Sequence, residues 1–289
     1  MIFDAFVEAA WADHNDHAPE VAQRLAESVA IVTTAEQVAP YAALVAHVYG
    51  EHLGKWEHGL GVLQSLRQKP ACHADAASLA ALARHEAALR YASGDTPPFD
   101  ELRSDHRIAA LAAAAAMLAG RSEWARALRA IDDALQGAAD GLQADSPAIR
   151  ALAVAGNNLA AAFEEKRDRS AEQTRAMRAA AQAGLAHWRR AGGWLEVERA
   201  EYRLARSCLQ AGDADAALHS AQRCVAVCET NRAPAMERFF GHVVLALAQR
   251  AAGDPLAFDR ARQQAREWFG LIPADERSWC DSDLAELGA

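Results

Sequence analysis

The stretch Arg199–Cys228 reads RAEYRLARSCLQAGDADAALHSAQRCVAVC. Leu204, Ala205 and Cys208 fall on one side of a first amphipathic run. Gly212-Asp213 interrupts it. Ala217, Ala221 and Cys224-Val225 then repeat at helical spacing. Glycine suits a helix C-terminus, where a left-handed backbone favours a residue without Cβ. Asp213 can accept a hydrogen bond from an unpaired amide of the next helix. The stretch predicts a helical hairpin, with small residues that let the two helices approach closely.

Comparable hairpins follow in both directions. Towards the N-terminus lie Gly156-x2-Leu159-Ala160-x2-Phe163, Leu111-x2-Ala114-Ala115-x2-Leu118 with Trp124 after its turn, and Trp56 with Gly59-x3-Leu63. Towards the C-terminus, Gly253-Asp254-Pro255 splits Ala235–Ala252 from Leu256–Phe269. Short helical runs are expected near Ile2–Asp13 and Ala18–Val32, and longer helices over Ala35–Leu53, Cys72–Ser93 and Arg169–Arg190. Thr96-Pro97-Pro98 forces extended or turned backbone. A joint is therefore expected at 96–104, between halves 1–95 and 105–289 of a single 1–289 array.

Glu201-x2-Leu204-Ala205-x2-Cys208 followed by Ala217-x3-Ala221 resembles the tetratricopeptide repeat, with its large aromatic positions replaced. The Gly212 and Gly253 turns are further apart than the usual spacing, so the repeats are lengthened. The resemblance implies an all-α, right-handed solenoid of antiparallel hairpins, about 12–14 helices in all. It also implies that the first helix of each hairpin lines a concave groove.

Composition agrees with the helical reading. The 289 residues are 52% hydrophobic, and much of that is alanine, the strongest helix former. The net charge of −9 argues against a general positive field for nucleic acid. No stretch has the roughly 20 apolar residues that a membrane helix needs. The opening MIFDAFVEAAWADHND lacks a basic segment leading into an apolar one. The five cysteines are odd in number and form no C-x-x-C pair. A cytoplasmic protein with reduced thiols is expected.

The near-matches to catalytic motifs fail on spacing. Gly50-Glu51-His52-Leu53-Gly54-Lys55 is one residue short of a phosphate loop, and Trp56 replaces the required Ser/Thr. His85-Glu86 starts an H-E-x-x-H string that ends in Leu89. His14 with His17, and His47 with Glu51 and His52, form two separate clusters. A metal needs three or four converging ligands, and the spacing supplies only pairs. Solvated helix ends are expected there, with no metal and no cofactor. Cys224 and Cys228, at i and i+4, are assigned to core packing. No catalytic constellation emerges, and an enzyme is not expected.

The binding features lie on the opposite side of the opening hairpin. Arg199, Arg203, Arg206 and Gln210 fall within about 60° of one another on a helical wheel, with Tyr202 beside them. The region 166–206 carries a local +5 in a chain that is otherwise acidic. The family resemblance places Arg199, Tyr202 and Arg206 in the groove. It also gives Asn158, in the string Asn157-Asn158-Leu159-Ala160, the role of bonding a ligand's backbone, with Asn157 nearby. An amide can donate and accept as a peptide requires, and arginine matches carboxylate bidentately. The expected function is a non-catalytic scaffold for a protein or peptide segment, with an acidic segment favoured. Glu196, Glu198 and Glu201 alternate with the arginines, so a solvated face is the competing reading. A regulatory sensor and a self-associating module, the latter through Phe239-Phe240 or Trp268-Phe269, also fit these features.

Overall fold

The computed structural model describes residues 2–288. Among them are fourteen α-helices and no strand. The helices run α1 Phe3–Asp13, α2 Ala18–Glu27, α3 Ala35–Val45, α4 Trp56–Arg67, α5 Ala76–Ser93, α6 Ser104–Gly120 and α7 Trp124–Gly137. They continue as α8 Pro147–Glu165, α9 Ala171–Ala191, α10 Trp194–Gln210, α11 Ala214–Thr230, α12 Ala235–Ala251, α13 Pro255–Leu271 and α14 Asp281–Glu286. Neighbours in sequence pack as neighbours in space: α4 with α5, α5 with α6, α6 with α7, and each step from α9 to α13. This serial packing of paired helices is that of an all-α solenoid.

The chain divides into two compact units, Met1–Ala155 and Gly156–Ala289, with the division inside α8. The stretch 96–104 lies within the first unit, where α5 and α6 pack together on either side of it.

Local sequence explains the hairpins. Gly212 and Gly253 have φ of +76° and +77°, so each turn uses a left-handed residue that lacks Cβ. The next residue caps the following helix. Asp213 accepts from the Ala216 amide at 3.1 Å, and Asp254 accepts from Ala257 at 2.9 Å. At the start of α9, Ser170 and Gln173 form a reciprocal capping box.

Three helices expected from the sequence are interrupted. Ala18–Val32 ends its α-helix at Glu27 and closes with a 3-10 turn at Val29–Ile31. Cys72–Ser93 splits because Pro70 opens a 3-10 turn and Asp75 then caps α5 through the Ser78 amide. Ala35–Leu53 leaves α geometry after Val45 and continues as a π-helical turn over Ala46–His52. Pro40 sits inside α3 on its exposed side.

In the first unit, Tyr41 and Tyr49 anchor the helices by donating their hydroxyls to the carbonyls of Leu25 and Ala22. In the second unit, Phe239 is fully buried beside Val243, Leu247, Ala265 and Ile272. Its ring lies 5.7 Å from that of Phe269. Phe239 therefore belongs to the α12–α13 core rather than to an association surface. Among the described residues, no helix is long and apolar enough to cross a membrane.

Candidate functional site

Two polar constellations stand apart from the packing, one in each unit. The second unit holds the arginine face of α10. Its members do not converge on open space, because each has a polar partner within the fold. Arg199 bonds Glu237 of α12 at 3.0 Å and stays exposed. Arg203 pairs with Glu164 of α8, which also accepts from Ser207. Gln210 accepts from Arg169.

Tyr202 and Arg206 are brought together by α14. The Tyr202 hydroxyl donates to Asp283 at 2.7 Å. Arg206 meets both carboxylate oxygens of Glu286. Arg250 of α12 adds a bond to the Glu286 carbonyl at 3.1 Å. The acidic helix is held by apolar contacts as well. Leu287 is 1% exposed, Cys280 is fully buried, and Leu284 packs on the same α12–α13 core. A cleft of about 330 Å³ remains beside it, lined by Arg206, Leu209, Gln210, Leu247, Arg250 and Glu286. The Glu286 hydrogen bond pushes the Arg206 guanidinium pKa up, and the same bond holds the Glu286 carboxyl below its usual range. Tyr202 is pushed up by burial beneath this segment.

The asparagines separate. Asn158 is exposed on α8. Asn157 has its Oδ1 buried and without a hydrogen-bond partner. That oxygen lies 2.8 Å from where a Cβ on Gly184 of α9 would fall. Asn157 is thus part of the α8–α9 seam, where Gly156 and Gly184 permit close approach, and not of a groove-facing pair.

Two carboxylates of the face are also not solvated. Glu198 and Glu201 are 2% and 1% exposed. Glu201 Oε1 takes bonds from Arg189 and Arg223, both at 2.7 Å. Glu198 accepts from the buried thiol of Cys224 at 3.0 Å. Burial raises the Glu198 carboxyl to about 7. Their position was legible: residues 198, 201, 205 and 208 follow helical spacing along the packing stripe.

The first unit brings together residues that the sequence kept apart. His14, His47 and His52 each offer a ring nitrogen, and these atoms all lie within 4.8 Å of one another. Among the described residues this is the one His/Cys/Asp/Glu group so arranged. His47 Nε2 and His52 Nε2 are 3.0 Å apart. On an α-helix, positions 47 and 52 would diverge by about 140°. The π turn is closed by i→i+5 bonds and brings them back to one side. His14 follows α1, and Trp11 packs on both His14 and His47 with ring centroids 5.1 Å apart. His47 Nδ1 meets Glu51 Oε1 at 3.1 Å, and His14 Nδ1 meets the Trp11 carbonyl. Burial is the main reason His52 titrates below its ordinary value, and its two histidine neighbours add to the effect. His17 lies outside the group, exposed before α2.

Beside His47 and Glu51 is a cavity of about 340 Å³. Its far wall includes Ala109, Ala113 and Ala116 of α6, whose small side chains leave the space unfilled. Arg84 and His85 supply polar groups.

The fold and these two constellations define an all-α protein of serial helix pairs. No protein-family model matches the chain, and no curated protein matches it. Among solved structures it is similar to BtubC (BKLC) from P. vanneervenii, with a TM-score of 0.52 and 15% identity over 93% of this chain and 91% of that one. At that identity the likeness is one of fold.

Proposed function

We propose that the protein is a non-catalytic, tetratricopeptide-like scaffold that binds an acidic protein or peptide segment on the α10–α12 face, in the cytoplasm. The observation that carries this reading is the docking of α14. An acidic, amphipathic helix lies against Tyr202, Arg206 and Arg250 through carboxylates, while Leu284 and Leu287 fill apolar positions. This combination is how helix-in-groove recognition works: apolar anchors give affinity and charges fix orientation. The chain's own segment occupies the face, so a partner of the same chemistry must compete with it. The five buried, unpaired cysteines suit a reducing compartment.

The test uses the full chain with the Asp283→Ala/Glu286→Ala pair, which weakens the internal segment. A labelled peptide with the sequence of residues 277–288 is titrated and followed by fluorescence anisotropy. The weakened protein is expected to bind it, and adding Arg206→Glu is expected to abolish binding. Hydrogen exchange over residues 281–287 shows whether α14 has been released. Released α14 with no peptide binding would sink the proposal.

A further inference from the structure

We propose that His14, His47 and His52 form a three-histidine site for a divalent first-row transition metal of the zinc class, with a coordination position left for water or a ligand. This site lies in the first unit and does not depend on the peptide-binding reading.

The donor set fits first. Imidazole suits zinc and its neighbours, and three histidines plus an exchangeable fourth ligand form a recurring zinc environment. Zn–N bonds of about 2.0–2.1 Å in a tetrahedron separate the nitrogens by about 3.3–3.4 Å. The present separations start at 3.0 Å and reach at most 4.8 Å. Side-chain rotations alone can close that difference.

The ring orientations fit as well. His14 and His47 direct Nδ1 at oxygen acceptors, the Trp11 carbonyl and the Glu51 carboxylate. Each acceptor favours a proton on Nδ1 and so leaves Nε2 with its lone pair free, as in carboxylate–histidine–metal arrangements. The His47–His52 contact makes the same point. With His47 protonated at Nδ1, its Nε2 is an acceptor, and His52 Nε2 must carry the hydrogen that links the two rings. A metal ion replaces that hydrogen, and the proton moves to His52 Nδ1, so that the ring stays neutral.

The backbone is unusual at this place. A π turn costs helix regularity, and here it is what aligns positions 47 and 52. Two histidines share the wall of Trp11, which restricts solvent on one side. His47 and Glu51 also line the alanine-walled cavity, so a small molecule bound there lies next to one member of the cluster and its support.

The test uses the full chain without a histidine tag. Zinc and cobalt(II) are titrated by calorimetry, and cobalt binding is followed by its visible absorption. One equivalent is expected to bind, to raise the melting temperature, and to give the strong visible bands of four-coordinate cobalt. His14→Ala and His52→Ala are each expected to weaken binding at least about hundredfold, since direct ligands matter at least as much as their supports. His17→Ala is expected to leave it unchanged. Glu51→Gln keeps the shape and is expected to weaken binding about tenfold or more. Circular dichroism and melting of the metal-free variants separate lost ligands from lost folding. Absent stoichiometric binding, or equal binding by wild type and a folded His52→Ala variant, would overturn the assignment.

Discussion

Arg206 grips Glu286 with both terminal nitrogens, Nη2 lying 2.9 Å from Oε1 while Nη1 bonds Oε2. These residues are far apart in sequence, and their pairing fastens the last helix to α10. The Glu286 carboxyl is held below its ordinary range, chiefly by this bond. Its ionised form therefore favours docking at every pH above that range. The contribution disappears as pH falls through the depressed value. Hydrogen exchange over 281–287, corrected for intrinsic rates, should be constant from neutral pH down to about 5 and should rise below about 4. Glu286→Gln should exchange faster at neutral pH, by about fivefold for a loss of about 1 kcal/mol. It should also lose most of the acid-dependent rise.

Cys280 reports the same event by chemistry. Its thiol is fully buried just before α14, and burial pushes its pKa up. Both effects suppress the reactive thiolate. Cys72, Cys208, Cys224 and Cys228 are buried as well. The native chain should therefore react slowly with a thiol reagent at all five positions. Arg206→Ala should make Cys280 the first to be modified, as read by peptide mass spectrometry. Simultaneous labelling of all five would show global unfolding instead.

The hairpins were legible because their signals are local. Gly212-Asp213 and Gly253-Asp254 state a left-handed turn followed by a cap, and both behave that way. The helix interruptions at Ala46 and Glu27 were not legible, because neither Val45-Ala46 nor Glu27-Ser28 contains a breaker. The candidate sites divide similarly. The arginine stripe of α10 was read from helical spacing, but its partners Asp283 and Glu286 lie some eighty residues away. The histidine cluster was seen only as pairs. Helical arithmetic at 100° per residue sends His47 and His52 apart, and the π turn that reunites them leaves no mark in composition. Glu198 and Glu201 were assigned to solvent by residue type, although their spacing placed them on the packing side.

Glycine packing makes opposite predictions at two helical positions. A Cβ on Gly156 would lie 2.6 Å from both the Ala180 carbonyl oxygen and the Gly184 nitrogen. Both obstacles are backbone, so α8 and α9 must move apart. Gly156→Ala should destabilise by about 1–3 kcal/mol, despite the better helix propensity of alanine. A Cβ on Gly61 of α4 meets nothing within 4 Å. Gly61→Ala should stabilise by about 0.5–1 kcal/mol, since only the unfolded chain loses freedom. Paired denaturant titrations would check both signs, and an equal effect at the two positions would contradict the close α8–α9 seam.

Glu198 makes the second unit less stable in mild alkali than in mild acid. Its carboxyl is raised to about 7, first by burial and then by the nearby Glu237; Arg199 and the thiols of Cys224 and Cys228 oppose the shift. In the unfolded chain the same group titrates near 4.3. Between these values the folded form holds a proton that the unfolded form has released. Stability contributed by this group is therefore full below about 4.3 and is lost as pH rises to about 7. Glu198→Gln keeps the shape and retains an oxygen to accept from Cys224, but it carries no charge at any pH. The margin of the variant over wild type should grow by about 2–3 kcal/mol between pH 5 and pH 8. Melting curves at both values decide it. A variant less stable than wild type at pH 8 would mean that the ionised carboxylate contributes through its partners more than its burial costs.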